Sequence, residues 1–102
     1  MVISLTGEWD IYRRDELRGR LEPASHEERV VLDLTTAKYI TSTLICELIV
    51  TGKHREQRRL LPLVLAVKSA FVRRLLTATG IDGRFPIYDS VEEALGGGEL
   101  SA

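Results

Sequence analysis

Three consecutive hydroxyl side chains, Thr41-Ser42-Thr43, stand where a branched apolar run gives way to an amphipathic stretch. Hydroxyls at such a place have two uses. A Ser or Thr oxygen at a helix start accepts a hydrogen bond from a free backbone N–H, which is worth about 1 kcal/mol. A phosphate esterified there would face the positive end of the helix dipole and its unpaired amides. One hydroxyl suffices for the cap, so three leave candidates for a phosphate that is added, sensed and removed. The residues alone leave both uses open.

Other chemistries find less support. Asp33 interrupts an apolar strand, too near the strand interior for a free general base, and the expected role is a strand end or a hydrogen bond to a loop. His26, His54 and Cys46 have no metal-ligand spacing, so no zinc site is expected. Gly80-Ile81-Asp82-Gly83 follows a helical pattern and lacks the spacing of a phosphate loop. There is no glycine-rich dinucleotide fingerprint and no Ser-His-Asp or Cys-His arrangement, so neither an enzyme nor a cofactor is expected. The basic run Lys53 to Arg59 could meet an acidic partner or a phosphate, although a solvated helix end is the commoner outcome. Trp9 and Tyr12 near the first turn are either exposed aromatics for a partner or half-buried packing.

The elements that must position the hydroxyls are readable. Val30-Val31-Leu32-Asp33-Leu34 and Leu61-Pro62-Leu63-Val64-Leu65-Ala66-Val67 are apolar runs of the kind found in strands covered on both faces. Between them Ile45, Leu48 and Ile49 form a stripe at i, i+3, i+4. Leu44 lies at the edge of that stripe, where partial exposure is expected. Val2 to Leu5 reads as a short strand, and Trp9 as part of a second one or its end. Asp10 is placed to cap a surface helix over residues 11–21. Ser69 opens a further helix with Val72, Leu75 and Leu76 inward and Gly80 as its stop. Phe85 to Tyr88 is a last short strand, and Ser90-Val91-Glu92-Glu93 has capping-box spacing. Alternating strands and helices predict an α/β layer fold with a mostly parallel sheet.

A length of 102 residues bounds this to one domain with a modest core. Residues 1–95 are expected to form it, with a flexible tail over 96–102 that begins Gly96-Gly97-Gly98. A net charge of −1 argues against a nucleic-acid binder. No apolar run approaches the roughly 20 residues that cross a bilayer, and no leader pattern opens the chain. With one unpaired cysteine, a cytoplasmic protein is the expectation.

The order of blocks resembles the STAS domain family, and within it the stand-alone anti-sigma factor antagonists of bacteria. Leu5-Thr6-Gly7-Glu8-Trp9-Asp10 is similar to the family's opening G-E-x-D, and Val30 to Leu34 to its V-V-L-D-L strand. Tyr39-Ile40-Thr41-Ser42-Thr43 occupies the place of F-I-D-S-[ST]. Thr79-Gly80-Ile81-Asp82 and Phe85 to Leu95 resemble the closing T-G-L-D and F-P-[VI]-x-D-S-x-E-E-A-L. The resemblance implies a mixed, mostly parallel sheet of four to five strands with about four helices. It implies a partner too, an anti-sigma factor that is itself a serine kinase. That kinase would modify Ser42, a serine phosphatase would reset it, and binding would free a sigma factor. Thr41, Ser42, Thr43, Leu44 and Trp9 would form the contact surface. Two positions depart from the motif: Thr41 stands where the family has Asp, and Leu44 where it has Gly. These departures favour an alternative within the family, a constitutive binding subunit of a lipid-transport ATP-binding-cassette complex or of a stress-sensing scaffold.

Overall fold

Val31 and Val64 lie side by side in the middle of a four-stranded parallel sheet. The computed structural model describes residues 1–37 and 39–100, with backbone alone at 82 and 97–100. Strands β1 (Val2–Ser4), β2 (Val31–Asp33), β3 (Val64–Ala66) and β4 (Ile87–Tyr88) are ordered β1-β2-β3-β4. Helices α1 (Arg14–Leu21), α2 (Ser42–Gln57), α3 (Ala70–Ala78) and α4 (Val91–Leu100) each follow the strand of the same number.

The expected α/β architecture, with β2 and β3 adjacent and central, is what forms. Among the described residues the sheet is wholly parallel rather than mixed, and has four strands. No strand forms at Trp9, because Asp10 starts a 3-10 turn instead: its Oδ1 accepts the Tyr12 amide at 3.0 Å. Where a tail was expected from Gly96, the backbone is helical to Leu100, continuing a helix that Ser90 nucleates by accepting the Glu93 amide at 3.1 Å. Residues 101 and 102 lie outside the described residues.

Register divides the sheet's two faces. Ile3, Leu32, Leu65 and Ile87 align across all four strands. They face the main core, which takes in Leu17 and Leu21 of α1, Leu44 and Leu48 of α2, and Val72 and Leu76 of α3. Ile45 and Ile49 pack against this core while partly exposed. The opposite face carries Val31, Val64, Ala66 and Tyr88, and α4 covers it through Val91 and Ala94.

Two residues of α2 show how tightly it is held. A Cβ on Gly52 would lie 2.7 Å from the Phe85 ring, so only glycine permits this approach. Arg55 corrects the reading of the basic run as a solvated end, for it is 1% exposed. Its Nη1 donates to the carbonyls of Ala24 and Glu27, and Nη2 to those of Glu28 and Leu61. Nε adds a second bond to the Leu61 oxygen at 2.9 Å. Burial lowers the guanidinium pKa, and the carbonyl dipoles supply the solvation that water would otherwise give.

Candidate functional site

The site is built from the end of β2. Asp33 lies where the strand turns into a loop, and its carboxylate is satisfied locally. Oδ1 accepts from the Thr35 amide at 3.0 Å and the Thr35 hydroxyl at 2.6 Å, and Oδ2 accepts from the Ser4 hydroxyl at 3.2 Å. Partial burial pushes the carboxyl pKa up, but the Thr35 and Ser4 hydrogen bonds outweigh it, so the net shift is downward. The carboxylate therefore braces the loop, as the strand-end reading expected. Ala37 and Ile40 anchor the loop in the core, and Tyr39 stays 39% exposed.

Thr41 is the N-cap of α2, with extended backbone angles. Its hydroxyl accepts the Leu44 amide at 3.2 Å and donates to the carbonyl oxygen of Trp9. Both functions of this hydroxyl are thus engaged. Ser42, the first helical residue, is exposed, whereas Thr43 is half-buried. The three hydroxyls divide accordingly: one caps, one turns partly inward, one faces solvent.

Two members of the expected contact surface are not on the surface. Leu44 is 2% exposed and belongs to the main core. The helix is rotated by about one position relative to the expected stripe, which buries Leu44, Leu48, Thr51 and Arg55 along one line. Trp9 is 3% exposed, because the loop before α1 folds over the start of α2. The Arg13 guanidinium stacks over its ring at 3.9 Å and donates to the Glu8 carbonyl at 2.6 Å, closing the indole from solvent. Exposed apolar side chains on the segments that lead into α1 and α2 are Ile11, Tyr12 and Tyr39, with Tyr12 93% exposed. Tyr12 was legible as a candidate. Ile11 and Tyr39 were missed, and the available signal was an apolar residue beside a helix cap with no place in either stripe.

Cys46 is exposed one turn beyond Ser42. Among the described residues, no three His, Cys, Asp or Glu side chains are grouped to hold a metal ion. No helix among them is long and apolar enough to cross a membrane. Glu47 is buried between α1 and α2, where Arg18 meets it at 3.1 Å and Arg14 at 3.6 Å. These ion pairs link α1 to α2.

A family model described as Mlab, STAS domain, matches residues 1–93. An anti-sigma factor antagonist from Mycobacterium paratuberculosis superposes with a TM-score of 0.78 at 24% identity, covering 94% of this chain and 82% of that one. A putative anti-sigma factor antagonist from Thermotoga maritima gives 0.73 at 20% identity, covering 93% and 85%. A sulfate transporter family protein from Wolinella succinogenes gives 0.76 at 18% identity, covering 97% and 84%. At these identities the structural likeness is one of fold.

Proposed function

The chain belongs to the STAS domain family, and we propose that within it the protein is an anti-sigma factor antagonist switched by phosphate on Ser42. It binds an anti-sigma factor that is a serine kinase, and binding frees a sigma factor. The kinase then modifies Ser42 and ends the contact, and a serine phosphatase restores it. In this cycle the protein is a cytoplasmic substrate and switch rather than an enzyme.

The observation that carries this reading is the partition of the three hydroxyls. Thr41 cannot release its oxygen without losing both the cap and the bond to Trp9. Thr43 is half-buried, while Ser42 stands exposed at the first helical position. A phosphate there would be stabilised by the helix dipole and the first-turn amides, so the domain can carry it without unfolding. The contact surface is then revised from the sequence expectation: Ser42 with Ile11, Tyr12 and Tyr39 at its surface, and Trp9 and Leu44 supporting it from beneath. The test is incubation with the cognate anti-sigma kinase and ATP, followed by mass mapping. Phosphate on Ser42 supports the reading, and phosphate only on Thr41 or Thr43 sinks the assignment.

A second reading rests on one specific residue. Thr41 is neutral where the antagonist motif carries Asp, and its side chain is committed to the fold. That favours a constitutive STAS subunit of a lipid-transport ATP-binding-cassette complex or a stress-sensing scaffold. Affinity capture from the native cell separates the two: a kinase and sigma factor in one case, a transporter ATPase or scaffold in the other.

A further inference from the structure

At the opposite end of the molecule from Ser42, the second face of the sheet holds an apolar groove of about 250 Å³. Its floor is the register pair Val31 and Val64, and its sides include Pro62, Pro86 and Leu95. Pro62 and Pro86 come just before β3 and β4, and Arg29 just before β2, so the groove opens at the N-terminal edge of the strands. Ser42 opens a helix that leaves from the other edge. Proline on two sides removes backbone N–H donors from the walls.

Arg29 is the one charged side chain among the described residues that line the groove. It is exposed, and no ion pair among the described residues engages it. The Met1 α-ammonium lies at the same mouth, donating to the Arg29 carbonyl at 3.1 Å, and an apolar trough with cations only at its mouth has a definite chemical complement: an aliphatic tail with one negative head. The trough is too small to be the seat of a folded partner, which takes roughly 20–30 residues a side. Its size is close to that of small-ligand sites, which are mostly apolar with a few placed polar groups.

We propose that this groove binds a single-tailed anionic amphiphile, a medium-chain fatty acid. The tail lies along Val31 and Val64, and the carboxylate pairs with the Arg29 guanidinium. This site is separate from the Ser42 surface and does not depend on the function proposed for it.

The test is titration of the ¹⁵N-labelled protein with decanoate, kept below its micellar concentration, followed by amide shifts. Saturable shifts confined to Val31, Val64, Tyr88 and Ala94 are expected. Arg29→Gln should weaken binding at least fivefold, and so should Leu95→Glu, which places a negative charge on a wall residue that is 45% exposed. Decyltrimethylammonium has the same tail and the opposite charge, and should bind at least tenfold more weakly than decanoate. Ser42→Glu should leave decanoate affinity unchanged. Absence of saturable shifts overturns the proposal, as does equal binding of the two amphiphiles or unchanged affinity in both groove variants. Shifts that follow protein concentration rather than decanoate, with slower diffusion, would give the groove to a second copy of the chain instead.

Discussion

Thr41 and Trp9, 32 residues apart, are joined directly by a hydrogen bond from the Thr41 hydroxyl to the Trp9 carbonyl. The same oxygen caps α2, so the loop before α1 is tied to the start of α2. Both bonding functions of the Thr41 hydroxyl are thereby committed to the fold.

Thr41→Ala removes the cap and the tie together. A stability loss of about 1–2 kcal/mol is expected, at the upper part of the range for N-cap deletions because the Trp9 oxygen also loses its donor. Thr41→Ser keeps both bonds and should recover most of it. Urea midpoints of the two variants check this, and equal losses would mean that the hydroxyl does not make these bonds.

Leu44 is a core residue, and its substitution should read as one. Leu44→Ala is expected to cost about 2–5 kcal/mol, like other large-to-small core changes. Leu44→Asp should prevent stable folding rather than selectively weaken a partner. A Leu44→Asp protein with a near-normal thermal midpoint would place the side chain back at the surface.

Arg55 should be more sensitive than any other residue of its basic run. Arg55→Ala strands the carbonyls of Ala24, Glu27, Glu28 and Leu61, and a loss of about 3–5 kcal/mol is expected, on the scale of breaking a buried charged network. Arg55→Lys should rescue little, since one ammonium cannot reproduce the planar fork. Lys53→Ala and Arg58→Ala, both at exposed positions, should stay within about 0.5 kcal/mol. Chemical denaturation of the four variants gives the ranking.

The strands and caps were legible because local chemistry decides them. Branched apolar runs marked β2 and β3, and Asp10, Ser69 and Ser90 each accept the amide expected of a cap. What was not legible depends on distant chain. Leu44 and Arg55 enter the buried line of α2 only because the loop near Trp9 packs over one end and carbonyls at 24–28 and 61 need a donor at the other. Periodicity within α2 fits the line through Leu44, Leu48, Thr51 and Arg55 as well as the stripe through Ile45, Leu48 and Ile49, and does not choose between them. Trp9 failed for the same reason: its burial comes from Arg13 and the start of α2, not from a strand of its own.

Asp33 gives the domain an acid-sensitive element. Burial raises its carboxyl pKa but the Thr35 and Ser4 hydrogen bonds lower it more, so it lies below the ordinary aspartate value in the folded state and the ionised form is favoured there. Its contribution is therefore present above the unfolded value and lost as pH falls through the folded one. Asp33→Asn keeps one acceptor but no charge, and should cost about 1 kcal/mol at neutral pH. The stability gap between the two proteins should close as pH drops below about 4, the unperturbed aspartate range. A gap that persists unchanged into acid would show that the charge of Asp33 contributes nothing.

In the proposed cycle Ser42 is the residue that carries the switch. A phosphate adds about −1.5 to −2 charge at neutral pH. On the first residue of α2 it is compatible with the fold, since the helix N-terminus attracts anions by about 0.3–1 kcal/mol. Against a partner the same charge acts differently. Ile11, Tyr12 and Tyr39 are exposed on the segments that lead into α1 and α2, and in the proposed contact surface they form with Ser42, a buried dianion without a facing cation is costly. Ser42→Glu should therefore leave the thermal midpoint nearly unchanged and weaken capture of the anti-sigma factor at least tenfold. Ser42→Ala should bind as the unmodified protein does and resist release by kinase and ATP. Tyr12→Ala should weaken capture without altering stability, because its side chain is almost wholly exposed. Binding measured by titration calorimetry on these three variants separates the readings. If Ser42→Glu binds as tightly as Ser42→Ala, the phosphate is not the switch and the protein is a constitutive subunit.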